Sequence, residues 1–362
     1  MTDATMHSIA DIDSLRPTWQ RLMADVAAGR VPHALMLTGP DGTATLAMAV
    51  ELAKALLCQT PHADGTPCHE CLQCRMAARL EHPDLHFAFP IATGTGTRVS
   101  APKDAISDAY IKEWRERLRQ SPWLTPDEWA KAMCGGTRQA KYYVAESDNL
   151  QRKLVLKSSQ GGRKVVVMWL PEKMGPDVAN KLLKLLEEPP AGTHFVMASD
   201  EPDLLLSTIR SRVQTVMLPP LTRQERESTQ PWRDESECMQ LFVTLMRLAY
   251  QRDVRQMRAW AEQLAALGRE QQRAFLSFCQ GQVRDNFIYN FRQPALIDQT
   301  PEEEAFSRNF ARFVNEWNVI GITDELAQAQ RDLEQNTNAR MVFFDLALKM
   351  TVLIITPATH NK

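Results

Sequence analysis

The stretch Ala34-Leu-Met-Leu-Thr-Gly-Pro-Asp-Gly-Thr-Ala-Thr45-Leu46 decides the fold class. Its first five residues form an uncharged, largely apolar run of strand length, ended by Gly-Pro. Ala47 to Leu57 then carries the apolar density of a helix. A strand feeding a helix through a glycine-bearing turn is where a phosphate-binding loop sits. Such a loop needs glycines for close backbone approach, a Lys for the β/γ-phosphates and a hydroxyl for Mg²⁺. Gly39 and Gly42 stand at the right places, but Ala44 replaces the third glycine, Thr45 the Lys and Leu46 the Ser/Thr. Gly39, Gly42, Thr43 and Thr45 are therefore the candidate contacts of a degenerate loop, one with the shape and without the working parts. An ordinary strand-to-helix turn is the alternative, and productive ATP binding is not expected.

Further along, Val165-Val-Val-Met-Trp-Leu170 reads as a second buried strand and Phe195-Val-Met-Ala-Ser199 as a third. Between them, Val178, Leu182, Leu185 and Leu186 recur at helical spacing over 177–188, and Pro189-Pro190 stops the helix. Strand–helix–strand units in succession predict a parallel sheet with right-handed crossovers. In a nucleoside triphosphatase an acidic residue ends the second of these strands to hold Mg²⁺, with a Glu beside it. Those places hold Trp169 and Leu170, and Glu172 falls on the turn beyond. Losing the Lys, the hydroxyl and the carboxylate together predicts no ATP hydrolysis by this chain.

At 362 residues the chain has room for about two or three domains. Lys+Arg number 42 and Asp+Glu 44, so any contact with DNA must come from a local patch and not from bulk charge. The start of the sequence shows no basic cluster followed by an apolar run, and the late apolar stretch 341–355 contains Asp345 and Lys349. A secretory signal and a membrane span are thus not expected, and the chain is read as cytoplasmic. Residues 90–140 interrupt the α/β pattern with a loop and two helical segments, over 108–119 and 125–133. They read as an insertion without assignable chemistry. Residues 218–236 are polar and Pro-bearing, a linker with at most one or two short helices, and helical periodicity dominates from 237 to 357.

Cys58, Cys68, Cys71 and Cys74 supply two overlapping Cys-x2-Cys steps and a fourth thiol within ten residues. That spacing matches a structural Cys₄ zinc site with no open coordination position. Reduced thiols are the bland alternative, an iron–sulfur cluster a minor one, and His62 or His69 less well-spaced substitutes. Cys134, Cys238 and Cys279 are lone and read as packing residues. Arg210 and Arg212, on a polar turn after the third strand, read either as a solvated pair or as a guanidinium offered to a neighbour's phosphate.

The matching stretches Val31-Pro-His-Ala-Leu-Met-Leu-Thr-Gly-Pro-Asp-Gly, the four cysteines, Glu81-His-Pro-Asp-Leu, Lys164-Val-Val-Val, Asn180-Lys-Leu-Leu-Lys-Leu-Leu-Glu-Glu-Pro-Pro and Ser207-Thr-Ile-Arg-Ser-Arg span most of residues 31–213. On them the chain resembles the delta-prime subunit family of the bacterial DNA polymerase III clamp loader. The resemblance implies an α/β AAA+ (P-loop NTPase-like) parallel-sheet domain over 1–217, with a zinc module at about 58–80 and the insertion at about 90–140. It implies a linker or reduced lid over 218–236 and an all-α collar that holds subunits together over 237–362. It further implies a non-hydrolysing stator, part of a DNA polymerase holoenzyme, working with motor subunits, a delta subunit, the sliding clamp and primed DNA. Arg212 carries over as the trans-acting arginine finger of a Ser-Arg-Cys motif, with Val213 in place of the Cys. The insertion is longer, and the stretch after Val213 shorter and more polar, than the family pattern. A motor-type ATPase with an atypical loop and a zinc-dependent DNA-binding protein are the competing readings.

Overall fold

The apolar run at residue 34 forms strand β1 (Ala34–Thr38), buried at all five positions. The computed structural model describes residues 9–39, 44–94, 97–134, 140–159, 162–229, 236–291, 299–335 and 337–355. The chain divides into two compact units, Met1–Gln230 and Pro231–Lys362.

In the first unit α1 (Arg16–Ala27) follows a 3-10 turn at Ile9–Asp11, and α2 (Thr45–Leu57) and the short α3 (Leu72–Ala78) follow β1. Strand β2 (Leu85–Ala88) precedes α4 (Ile111–Gln120) and α5 (Pro126–Cys134) of the insertion. Then come α6 (Val144–Val155), β3 (Lys164–Trp169), α7 (Pro176–Glu187) and β4 (Thr193–Ser199). The single-turn α8 (Ser207–Arg210), β5 (Gln214–Met217) and α9 (Arg223–Thr229) complete it. The five strands are all parallel, in the order β2-β3-β4-β1-β5. Parallel strands need crossovers on the faces, so the inner strands are apolar on both sides. Leu35, Leu37, Val165, Val167, Trp169, Val196 and Ala198 share one core with α2 and the insertion. Their neighbours Met36, Val166, Met168, Phe195 and Met197 share another with α6 and α7. That is the two-residue alternation of a strand read across three partners.

The sequence reading places β1, β3, β4, α2 and α7 and leaves out β2 and β5. Both are four residues long, and β5 is an edge strand exposed at three of its four positions, so no continuous apolar run marks it. Of the insertion's first helical segment, Ser107–Tyr110 is a 3-10 turn leading into α4. Helix α5 starts as its residues suggest: Thr125 and Glu128 bond reciprocally through side chains and backbone amides, a capping box. Helix α9 is tied down by Glu225, which accepts hydrogen bonds from the Ser14 amide and hydroxyl.

In the second unit, α10 (Ser236–Gln251), α11 (Val254–Ala265), α12 (Arg269–Tyr289), α13 (Pro301–Phe310), α14 (Val319–Glu334) and α15 (Ala339–Ile355) surround Phe242, Trp260, Phe275 and Phe343. No helix among the described residues is long and apolar enough to cross a membrane.

Candidate functional site

Three strands end together where a nucleotide site would lie, and their ends bond to one another. Gly39 follows β1 and is buried, whereas Gly42 and Thr43 lie outside the described residues. Thr45 opens α2 with its side chain buried, and its hydroxyl donates to Asp200 Oδ1 at 2.9 Å. Asp200 is the first residue after β4. On the turn after β3, Glu172 Oε2 accepts from the Ser199 hydroxyl at 2.8 Å, and Oε1 accepts from the Asp200 and Glu201 amides at 3.2 and 3.4 Å. Burial raises the Glu172 pKa above the usual carboxylate range. Leu170 reaches this turn through a left-handed backbone, φ 55°, which reverses the chain directly after the strand.

At the end of β3, Trp169 is 1% exposed. Its ring lies 5.2 Å from Trp114 of α4, which stacks on Phe89 at 4.1 Å and meets Trp129 of α5 at 5.1 Å. The insertion therefore supplies two of the indoles packed around the end of β3. The Tyr142 hydroxyl sits 2.8 and 2.7 Å from the carbonyls of Ala88 and Trp169, bracing the ends of β2 and β3. Asp200 escapes sequence reasoning because its only signal is a polar residue after an apolar strand.

The four cysteines of the candidate metal site converge. One sulfur from each of Cys58, Cys68, Cys71 and Cys74 lies within 4.8 Å of all the others. The Cys58–Cys68 and Cys68–Cys74 sulfur separations are 3.6 and 3.8 Å. Bonds of about 2.3 Å in a tetrahedron put sulfurs roughly 3.8 Å apart, so the donor set can hold a metal ion and fits zinc. Backbone amides point at the sulfurs. The Cys68, Cys71 and Cys74 amides each donate at 3.4 Å, to Cys58, Cys68 and Cys71 in turn. The Thr60 hydroxyl and further backbone donors hold the Cys68 thiol down at about 5, whereas burial pushes the Cys74 thiol up. Gly65 seats the loop on α1. Its φ is +88°, and a Cβ there would lie 2.0 Å from the Met23 carbonyl oxygen, so only glycine fits.

Arg212 lies just past α8, partly exposed. Its Nε donates to Glu187 Oε1 at 2.6 Å, and Nη2 reaches the same oxygen at 2.6 Å. Nη1 donates to the Thr208 carbonyl at 2.9 Å and to the Ser211 hydroxyl at 3.2 Å. Arg210 pairs separately with Asp203 at 3.0 Å. Glu187 belongs to the Leu-Glu-Glu-Pro-Pro segment, but a sequence does not reveal that this helix end meets the Ser-Arg turn.

Comparison with known proteins bears on the same half of the chain. The family model described as DNA polymerase III, delta subunit, matches residues 15–222. The DNA polymerase III delta-prime subunit of Escherichia coli K12 is 29% identical over 206 residues, 57% of this chain and 48% of the relative. That of Pseudomonas aeruginosa is 31% identical over 196 residues, 54% and 46% of the two chains. The chain spans about half the length of these curated relatives. The solved structure of a DNA polymerase III gamma subunit-related protein from Thermotoga maritima aligns with 93% of this chain and 99% of its own. At 12% identity and a TM-score of 0.35 that likeness carries no argument. With residues 15–222 matched, more than half its length, the chain belongs to the DNA polymerase III delta-subunit family, and the Escherichia coli and Pseudomonas aeruginosa relatives are delta-prime subunits.

Proposed function

We propose that this chain is the non-hydrolysing stator of a replicative clamp loader. It would assemble with motor subunits and a delta subunit, help place the sliding clamp on primed DNA, and offer Arg212 to a neighbour's ATP. In this reading the first unit is a degenerate AAA+ module, α9 the remnant of its lid and the helical unit its collar. Two observations support the absence of hydrolysis. Thr45, at the lysine position, is bonded to Asp200. Trp169, at the carboxylate position, is sealed among aromatic rings. A nucleotide would meet neither the cation nor the metal ligand that phosphoryl transfer needs. The cysteine quartet supports a structural zinc, which would supply a fixed cross-link in the loop between α2 and α3. With four thiolates it has no open position for catalysis.

Arg212 has the chemistry for the remaining role. A planar guanidinium spreads positive charge over several donors and matches the charge that develops on a transferring phosphoryl group. Water attacks the neighbour's γ-phosphorus, the bond to ADP breaks, and phosphate and a proton leave. Arg212 would stabilise the transition state from outside that subunit. The test is clamp loading onto primed DNA by the loader assembled from this chain and its own partner subunits. Arg212→Ala should lower the rate by about tenfold or more, since fingers contribute 10³ or greater at their own site. Size-exclusion chromatography should show the ring intact. An unchanged rate with an intact ring would refute the finger.

A further inference from the structure

We propose that Glu187 gates Arg212: its carboxylate parks the guanidinium on this chain's own surface and must be displaced before the arginine can grip a neighbour's phosphate. The inference rests on the finger role just proposed and adds its control. A guanidinium grips a phosphate by donating from two nitrogens on one edge. Arg212 has neither such edge open. The Nε/Nη2 edge is occupied by Glu187 Oε1, with both nitrogens 2.6 Å from that oxygen. On the other edge, Nη1 is held by the Thr208 carbonyl at 2.9 Å and the Ser211 hydroxyl at 3.2 Å. One Nη2 hydrogen is left to face outward, enough for a single contact and not for a fork.

The parking group is itself an anion, so it competes directly with phosphate for one edge and offsets the charge that would attract it. The side chains of Arg212 and Glu187 are 37% and 46% exposed. An ion pair this wet is weak, and a closely apposed phosphate of higher charge can replace the carboxylate. Glu187 ends α7 directly before Glu188 and Pro189-Pro190, so its backbone is set by the helix stop and only its side chain needs to move. The gate thus opens by rotamer change and not by refolding. Glu187 is a positioning residue: it touches no substrate and acts through Arg212.

The experiment uses the assembled loader with ATP and Mg²⁺ but without DNA. The quantity read is the Arg212-dependent turnover, the rate that Arg212→Ala abolishes. Glu187→Gln keeps the shape and removes the charge, and should raise that turnover by about two- to fivefold, the worth of an exposed ion pair. Glu187→Asp keeps the charge and should stay near the wild-type rate. In the Arg212→Ala background, Glu187→Gln should change nothing, because the residue acts only through the arginine. An unchanged or lowered rate in Glu187→Gln, while Arg212→Ala is impaired in clamp loading, overturns the gate and leaves the finger standing. A rate rise that persists in the Arg212→Ala background also overturns it. If Arg212→Ala has no effect on clamp loading, the finger falls and the gate with it.

Discussion

Replacing Glu146 by Gln should flatten the pH dependence of the first unit's stability. Glu146 lies in the first turn of α6 and is 3% exposed. Its Oε2 accepts from the Ser107 amide, and its Oε1 meets no hydrogen-bond donor among the described residues. Burial outweighs the Ser107 contacts and the charge of Lys153, and pushes its pKa up to about 7 from an ordinary 4.5. A carboxyl raised in this way favours the fold while protonated. Its contribution is whole below the ordinary value and is lost as the pH rises through about 7. The 2.5-unit gap corresponds to about 3 kcal/mol. Titrating both states, roughly 2 kcal/mol of this is lost between pH 5.5 and pH 8. His86 and Asp108 belong to the same cluster, and burial lowers the His86 pKa to about 4. Neutral His86 costs the fold stability as the pH falls below its ordinary value, the opposite sign, and it does so equally in both proteins. The comparison therefore isolates Glu146. The chain has two units and one global transition is not assured, so the assay is hydrogen exchange of peptides from α6 and β3. The Gln variant should gain about 2 kcal/mol of opening free energy at pH 8 relative to its gain at pH 5.5. Parallel profiles for the two proteins would refute the reasoning.

Two more outcomes follow from the proposed reading. Protein purified without chelators should carry about one zinc per chain, lost on Cys71→Ser, and the variant's 58–74 loop should become protease-sensitive while the sheet stays folded; metal analysis that finds no zinc in the wild type would sink the assignment. On α15, Met341 is 67% and Leu348 36% exposed, seven residues apart on one helix face. Met341→Glu with Leu348→Glu should leave the isolated chain's melting temperature within a few degrees and weaken assembly with partner subunits by about tenfold or more. Unchanged assembly by analytical ultracentrifugation would remove that face from the collar contact.

What the sequence discloses here follows physical range. The buried strands announce themselves because burial on both faces demands uninterrupted apolar runs, as in Val165-Val-Val-Met, and α7 because Pro189-Pro190 ends a one-faced stripe. The cysteine quartet is legible because four ligands within one loop need only local geometry to converge. Strand β5 is not legible, because an exposed edge strand has no apolar signature. The pairs that give the site its character are also hidden. Thr45 meets Asp200 across 155 residues and Arg212 meets Glu187 across 25. In each case both residues can be named from the sequence as polar, but only the sheet order brings them together. Gly42 and Thr43, read from the sequence as parts of a degenerate loop, lie outside the described residues.

Helices α4 and α5 and the indole at position 169 form one packing unit and not two. An acidic residue at position 169 would place a charge beside Trp114 in the apolar core at the end of β3, at a large desolvation cost. Conversely, without Trp169 the Trp114 ring would lose the indole packed against it, leaving a cavity the size of an indole in a core that tolerates few voids. The rings of α4 and α5 and the Trp169 indole therefore stabilise one another. This is why, on the proposed reading, a lysine placed at position 45 would not create a nucleotide site. The new ammonium would meet Asp200 in the place of the Thr45 hydroxyl, and the metal corner would remain filled by indole. The Thr45–Asp200 bond and the packed indoles join the ends of the strands without a ligand. On the stator reading proposed above, a part that stays rigid while its neighbours cycle through nucleotide states would be served by such a fixed junction.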